Sequence, residues 1–177
     1  MAHAAPTPRA FPAADHDHAQ CVRAALDAVE RVCDARGVRL TALRRRVLEL
    51  VWQGHRPVGA YDVLDALSQE RGRVAPPTVY RALDFLLHHG FIHRIERLNA
   101  YIGCPHPGTE HVGHFLICRH CGTAAEVADA RTDRAIAREA AAVGFAVERE
   151  TVEISGTCPG CRPEEPAPSE PANGRHG

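Results

Sequence analysis

The chain has 177 residues, 45% of them hydrophobic, which is enough for one ordinary domain or two small ones with a packed core. Its formal net charge of −1 is unevenly spread. Residues 39–97 carry ten Arg and six acidic residues, a net charge of +4, whereas residues 98–177 carry seven Arg and eleven acidic residues, a net charge of −4. The middle of the chain can therefore face a polyanion, and its end cannot do so easily.

Hydropathy and cysteine usage indicate a cytoplasmic protein with no membrane partner. No apolar run approaches the roughly 18 residues of a membrane span, and the prolines and aspartates of residues 1–20 argue against a signal peptide. In a reducing compartment, the seven Cys point to metal or redox chemistry rather than to a disulfide framework.

Residues 1–20 are rich in Ala, Pro, His and Asp and are predicted to form a disordered leader. Within it, the three histidines would hold a metal only weakly: His3, His16 and His18. Apolar residues at helical spacing then predict a first helix that ends near Gly37, a second that begins after an N-cap at Thr41, and a third that ends before Gly72.

A fourth helix begins at Pro76 and stops at Gly90, because proline suits a first helical turn and glycine a helix end. Its buried stripe is predicted to consist of Val79, Ala82, Leu83 and Leu86. Residues 91–96 and 100–102 read as a two-stranded wing. Three helices with a wing form a winged helix-turn-helix, which can place its last helix in a DNA major groove.

The second half alternates strands with one helix, so the fold class is α+β. We predict strands at 114–118 and 123–127, a helix at 130–143, and a half-exposed strand at 145–154. Residues 103–106 lie at the expected hinge between the two halves. Residues 163–177 hold Pro, Glu, Ser and Gly and read as a disordered tail.

Four side chains are candidates for DNA contact. Arg81 could reach a guanine edge, Thr78 and Tyr80 could reach a phosphate or a thymine methyl, and Tyr61 begins the third helix. Contacts to the DNA backbone could come from Arg44, Arg45 and Arg46. The alternative is that the winged helix is a protein-interaction module and that the arginines are only a solvated face.

Two CxxC pairs are the strongest metal signal. The four cysteines are Cys118, Cys121, Cys158 and Cys161. Four thiolates suit tetrahedral zinc, and a site closed by four protein ligands is structural rather than catalytic. The gap between the pairs exceeds the roughly 15–20 residues of a simple zinc ribbon, so folded chain must bring them together. A single CxxC could instead be a redox pair.

A looser set of metal-ligand residues spans the hinge. Its members are His93, Cys104, His106, His111, His114 and Glu126. A thiolate, imidazoles and a carboxylate suit Zn²⁺, and an ion held from both sides of the hinge would fix the angle between the halves. The alternative is that these histidines are only solvated loop residues.

The chain resembles the ferric uptake regulator family of dimeric metal-sensing repressors, and within it the zinc-sensing branch. The resemblance covers about residues 22–162. It is carried by segments 38–41, 60–64, 76–93 and 101–104 and by both CxxC pairs. It implies a winged-helix DNA-binding domain at 21–102, a hinge at 103–106, and an α/β dimerisation and metal-binding domain at 107–162.

The resemblance also implies two zinc ions per chain. A structural zinc would lie on Cys118, Cys121, Cys158 and Cys161. A regulatory zinc would lie on His93, Cys104, His111 and Glu126. His114 is an alternative ligand at the regulatory site, and His106 is a weaker one. Tyr61 and Arg81 match the positions at which the family reads bases.

The function expected is a zinc-responsive transcriptional repressor whose zinc-loaded homodimer binds double-stranded operator DNA of zinc uptake genes. It would have no small-molecule substrate and no enzymatic activity. The alternatives are an iron-, manganese- or peroxide-responsive regulator of the same family and, from another class, a protein-interaction adaptor with structural zinc. A zinc deaminase is disfavoured because it needs a His-x-Glu element, which the sequence lacks.

Overall fold

The computed structural model describes residue 11 and residues 16–109, 111–148 and 150–163. The helices are α1 His18–Arg36, α2 Ala42–Val51, α3 Ala60–Arg71, α4 Pro76–His88 and α5 Ala130–Ala142. The strands are β1 Val58–Gly59, β2 Ile92–Ile95, β3 Ala100–Gly103, β4 His114–Cys118, β5 Ala124–Val127 and β6 Val152–Gly156. This mixture of helices and sheets confirms the α+β prediction.

Local signals set the ends of the first helices as the sequence predicts. Gly37 closes α1 in the left-handed conformation at φ 63°, which glycine adopts without a Cβ penalty. The Thr41 hydroxyl accepts a hydrogen bond from the Arg44 amide and caps α2. Helix α1 begins at His18, inside the predicted leader, because the Asp17 carboxylate accepts the Gln20 amide and caps it. Residues 1–10 and 12–15 of that leader lie outside the described residues.

The main core lies among α1–α4. The predicted stripe of α4 is confirmed, since all four of its residues are buried: Val79, Ala82, Leu83 and Leu86. They pack with buried residues of the other helices, including Val47 and Leu48 of α2 and Val63 and Leu67 of α3. Burial of these apolar side chains orients α4 and leaves its opposite face exposed.

The wing follows α4 as a three-stranded antiparallel sheet in the order β1-β3-β2. Between β2 and β3 the chain makes one turn of 3₁₀ helix at Glu96–Leu98, and Asn99 then adopts φ 47°. Asparagine is among the few side chains that tolerate this left-handed conformation. The wing predicted from the sequence is therefore present, with the first short strand added to it.

The second half is a three-stranded sheet in the order β5-β4-β6, with β4 and β6 parallel. The predicted strand at 145–154 is wrong over its first part, because pairing with β4 begins only at Val152. Helix α5 ends at Ala142, and Gly144 follows at φ 72°. The predicted tail lies outside the described residues from position 164 onward.

A second, smaller core joins the two sheets. Ile95 and Ile102 of the wing pack with Phe115, Ile117 and Ala124 of the second half. Polar contacts reinforce this junction: the Ala124 amide donates to the His55 carbonyl at 2.8 Å, and the Glu96 amide donates to the Glu153 carboxylate at 2.6 Å. Across the described part of the chain, no helix is both long enough and apolar enough to span a membrane.

Candidate metal centres and nucleic-acid interface

The four cysteines of the two CxxC pairs meet at one edge of the second sheet. Cys118 ends β4, and Cys158 follows β6; because these strands are parallel neighbours, their carboxyl ends lie side by side. One sulfur atom from each of the four cysteines lies within 4.8 Å of the others. The sulfurs of Cys121 and Cys158 are 3.7 Å apart, far longer than a disulfide of about 2.05 Å. The fold therefore brings together the two CxxC pairs, which lie far apart along the sequence.

The electrostatics of this cluster favour a cation. Backbone N–H groups of Cys121 and Cys158 point at the Cys118 sulfur and lower the pKa of that thiol to about 5. Contact with the thiols of Cys158 and Cys121 raises the pKa of Cys161 to about 12. The sulfurs thus share protons with one another. A Zn²⁺ ion would displace those protons and bind all four thiolates.

The second cluster draws its donors from both halves. His93 lies on β2, Cys104 follows β3, His111 lies in the loop before β4, and Glu126 lies on β5. The Glu126 carboxylate oxygens are 3.3 Å from His93 Nε2 and 2.8 Å from His111 Nε2. The Cys104 sulfur is 3.5 Å from the same nitrogen of His111. The structure thus brings together the four residues that the resemblance implied.

The imidazole and carboxylate groups of this cluster face one another with few hydrogen bonds to satisfy them. The His111 Nδ1–H donates to the Thr109 carbonyl at 2.9 Å, which leaves the Nε2 lone pair pointing at the cluster. Both oxygens of Glu126 and Nε2 of His93 are buried and make no hydrogen bond within the described structure. A buried carboxylate in this state is costly, and a bound cation would remove that cost. One sulfur, two imidazole nitrogens and a carboxylate are a donor set that zinc accepts.

His114 points away from this cluster. In β4 its cross-strand partner is Val127, whereas the neighbouring Phe115 pairs with Glu126. Successive side chains of a strand alternate faces. Phe115 therefore lies on the side of the predicted regulatory cluster, which is formed by His93, Cys104, His111 and Glu126, and His114 lies on the other side. His106 also stays outside, with its ring centroid 6.3 Å from that of His111. The structure therefore favours His111 over both alternatives.

His114 belongs to a different polar cluster that sequence reasoning missed. Its Nε2 lies 3.1 Å from the Asp133 carboxylate on α5 and 3.6 Å from that of Glu150. The histidine is 2% exposed. Its two acidic neighbours come from α5 and from the segment before β6. No local pattern links these three positions, because only the packing of α5 on the sheet brings them together.

The candidate DNA contacts lie on exposed helix ends. Tyr61, in the first turn of α3, is 70% exposed, and Tyr80 near the start of α4 is 40% exposed. Thr78 is half-buried, and its amide donates to the Ala75 carbonyl at 2.9 Å. Arg81 is exposed and forms no ion pair with any described residue. These side chains are placed where a polyanion could reach them.

The three consecutive arginines of α2, which the sequence offers as candidates for contacts to the DNA backbone, have partners within the protein. Arg46 pairs with Glu49 at 2.7 Å and with Glu70 of α3 at 2.9 Å. Arg45 pairs with Glu30 and Glu49. The Arg44 guanidinium stacks on the Phe85 ring at 3.5 Å. Acidic residues of α1, α2 and α3 thus neutralise this patch. The run of three arginines in the sequence does not reveal these partners, because two of them lie on other helices.

Comparison with known proteins identifies the family. A model of the ferric uptake regulator family matches residues 35–155. The chain belongs to this family. The zinc uptake regulation protein of Escherichia coli K12 is 38% identical over 133 residues, which cover 75% of this chain and 78% of the relative. The zinc uptake regulation protein of Mycobacterium tuberculosis H37Rv is 32% identical over 131 residues, covering 72% of this chain and 98% of the relative.

Solved structures of the ferric uptake regulator family share the fold. A zinc uptake regulator complexed with zinc and DNA superposes with a TM-score of 0.74 at 37% identity, covering 79% of this chain and 94% of its own. The holo form of the protein called XcZur has a TM-score of 0.70 at 44% identity, covering 77% and 95%. The family match at 35–155 contains His93, Cys104, His111 and Glu126 as well as α3 and α4, and it ends before Cys158 and Cys161.

Proposed function

We propose that the protein is a zinc-responsive transcriptional repressor whose zinc-loaded homodimer binds operator DNA of zinc uptake genes. The observation that carries this proposal is the four-donor cluster of His93, Cys104, His111 and Glu126, which takes ligands from both sides of the hinge. Relatives at 38% and 32% identity are named zinc uptake regulation proteins, and one neighbour was solved with zinc and DNA. Such a regulator works on chromosomal DNA and therefore in the cytoplasm.

The two predicted sites have different roles. Cys118, Cys121, Cys158 and Cys161 hold the ends of β4 and β6 together, so their ion is structural. Zinc at the regulatory cluster supplies one divalent charge that four otherwise repelling or unsatisfied donors share. Two ions per chain follow from these two sites. Neither site is proposed to be catalytic, since each is saturated by four protein ligands.

The regulatory cluster can couple metal to DNA because its ligands are fixed to different elements. His93 lies on β2, which follows α4 after a short turn, and Glu126 lies on β5 of the other sheet. When both side chains share one ion, the wing and α4 take a fixed orientation relative to the second half. Without that bond the junction relies on its small apolar core and a few hydrogen bonds. Zinc therefore selects the orientation that binds DNA.

We assign DNA binding to residues 21–102, the hinge to residues 103–106 and dimerisation to residues 107–162. Strand β6 is an edge strand of its sheet. Apolar side chains near it are exposed: Val143 by 80%, Phe145 by 66%, Val147 by 43% and Ile154 by 51%. Large apolar side chains that are exposed in one part of the chain are typical of a protein interface, and a second copy of this domain would cover them.

Zinc is preferred over iron or manganese because of Cys104. Thiolates bind zinc in preference to these harder ions, which take nitrogen and oxygen ligands. The protein-interaction adaptor is disfavoured by the uncommitted Arg81 and the exposed tyrosines at the starts of α3 and α4.

A metal-by-metal DNA titration tests this proposal. Duplexes are first selected from a random library in separate selections with Zn²⁺-, Mn²⁺- and Fe²⁺-loaded protein. Binding of each selected duplex is then followed by fluorescence anisotropy at fixed free Zn²⁺, Mn²⁺ or Fe²⁺. Zinc should support binding at the lowest free concentration, and the binding should weaken as salt rises. Equal binding without added metal would contradict a zinc switch, and a response to Fe²⁺ or Mn²⁺ alone would reassign the effector. A protein that selects no duplex under any of these conditions would support the adaptor.

A further inference from the structure

Three histidines meet at the start of α1, apart from both predicted zinc sites. They are His16, which precedes the Asp17 cap, His18, which is the first residue of α1, and His55, in the loop between α2 and β1. A ring nitrogen from each lies within 4.8 Å of the others. The ring centroids are 4.6–5.6 Å apart. The Asp17 cap fixes the backbone between His16 and His18 and so presents both rings to the loop.

The tautomer of His18 leaves a lone pair for a ligand. Its Nε2–H donates to the Trp52 carbonyl at 2.8 Å, so Nδ1 carries no proton when the ring is neutral. That Nδ1 is buried and has no hydrogen-bond partner within the described structure. A histidine that donates one ring nitrogen to a backbone carbonyl and keeps the other bare has the arrangement of a metal ligand.

The other two histidines hold their nitrogens in equally suitable positions. Nε2 of His16 and Nε2 of His55 are 2.7 Å apart, so one proton lies between two lone pairs. Burial, and then the proximity of His18 and His16, lower the pKa of His55 and favour its neutral form near pH 7. Neutral imidazole is the form that binds a metal. A metal would replace the shared proton and use both lone pairs.

We propose that His16, His18 and His55 form a third metal site, which binds Zn²⁺ or another imidazole-binding divalent ion and fastens the start of α1 to the loop between α2 and β1. Three imidazoles with one position left for water suit zinc. The site lies at the junction of the two halves, because the His55 carbonyl accepts the Ala124 amide of β5 at 2.8 Å. Occupancy would therefore hold this loop in the position from which it contacts β5.

Counting bound zinc tests the site. Full-length protein, the variants His16→Ala and His55→Ala, and the control His88→Ala are equilibrated with the same saturating free zinc, and metal and protein are measured in each. His88 is exposed at the end of α4, outside every cluster of potential ligands in the described residues. Each triad variant should bind one ion fewer than the parent, and His88→Ala should bind the same number. Parental zinc content in both triad variants would overturn the proposal.

Cobalt separates this site from the thiolate clusters. When the proteins are loaded with Co²⁺, the ion that the parent binds and His55→Ala does not should contribute ligand-field absorption but no thiolate-to-cobalt charge-transfer band. An equivalent that does carry this band would belong to a cysteine cluster and overturn the assignment. Cys104→Ser should still bind the triad equivalent, so failure of the regulatory site and failure of the triad are distinguishable.

Hydrogen exchange tests the mechanical consequence. Filling the third site should slow exchange of the Ala124 amide in the parent protein and leave it unchanged in His16→Ala. Because His16 lies outside α1 and does not contribute to this hydrogen bond, its loss removes the ion without removing the bond. Identical Ala124 exchange before and after the third equivalent would show that the site does not brace the junction.

Discussion

Cys104 is the one thiol of the regulatory cluster, and metal binding there must remove its proton. It is 1% exposed. Burial, and then the nearby Glu126 carboxylate, raise its pKa to about 12 from the usual 9.0. The metal-free thiol therefore keeps its proton throughout the physiological range, and zinc must displace it. Without metal, the same raised pKa stabilises the fold below about pH 9 and loses that contribution as pH rises toward 12.

Zinc affinity at the regulatory cluster should rise about tenfold per pH unit between pH 7 and 9, because one proton leaves Cys104 for each ion bound. Cys104→Ser should lose this slope and bind zinc at least about 10–100-fold more weakly, which is the loss seen when even an outer-shell partner is removed. Competition with a zinc chelator at several pH values measures both quantities. A parental slope and affinity in Cys104→Ser would remove this residue from the site.

Arg81→Ala should reduce discrimination between the selected duplex and a scrambled one by about 1–3 kcal/mol, as expected for loss of a bidentate base contact. Zinc content should not change. Arg138→Ala is the matched control, because Arg138 lies on α5 and, among the described residues, pairs with its neighbour Glu139. If Arg81→Ala weakens both duplexes equally, the residue contacts phosphate and does not read a base.

Strand β3 and helix α2 approach each other closely at the end of the wing. A Cβ atom at Gly103 would lie 2.1 Å from the Trp52 indole, well inside the contact distance of two carbon atoms. Glycine is required here by space rather than by its backbone angle. The contact matters for function because Gly103 directly precedes Cys104, so the position of β3 against α2 also positions the thiol.

Gly103→Ala should destabilise the protein by about 1–3 kcal/mol, the usual cost of overpacking, and should weaken zinc binding at the regulatory cluster. Urea unfolding and zinc competition measure the two effects. Gly54→Ala is the control, since a Cβ there would find its nearest neighbour at 3.9 Å. A Gly103→Ala protein with parental stability would show that the indole can move aside without cost.

The proposed structural zinc would tie together the neighbouring ends of β4 and β6, which lie far apart along the chain. Cys118→Ser should lower zinc content by one ion per chain and abolish dimerisation, because metal-binding energy at such a site is folding energy. His120→Ala is the control: it changes a residue within the same CxxC pair and keeps all four sulfurs. Sedimentation velocity and metal analysis give the result. A fully dimeric Cys118→Ser protein would refute the structural assignment.

The sequence predicted the elements better than their tertiary contacts. Helix ends followed from local chemistry, as at Thr41 and Gly37, and the α4 stripe followed from its period. The start of β6 depends on pairing with β4, which no local pattern reveals. The alternation of β4 could have separated His114 from Phe115, but only the partner strand shows that Glu126 lies on the Phe115 face. His55 gave no sign of its role, because its partners lie about 40 residues away along the chain.

At the scale of the whole molecule, zinc and DNA are proposed to stabilise the same orientation of the two halves. Coupling of this kind is reciprocal, so each ligand must strengthen the other by the same factor. The most direct test measures zinc affinity of the regulatory cluster with and without saturating duplex, and duplex affinity with and without zinc. We expect the two factors to be equal and to lie between about 5 and 150. Zinc affinity that is unchanged by DNA, while DNA binding still needs zinc, would contradict this expectation.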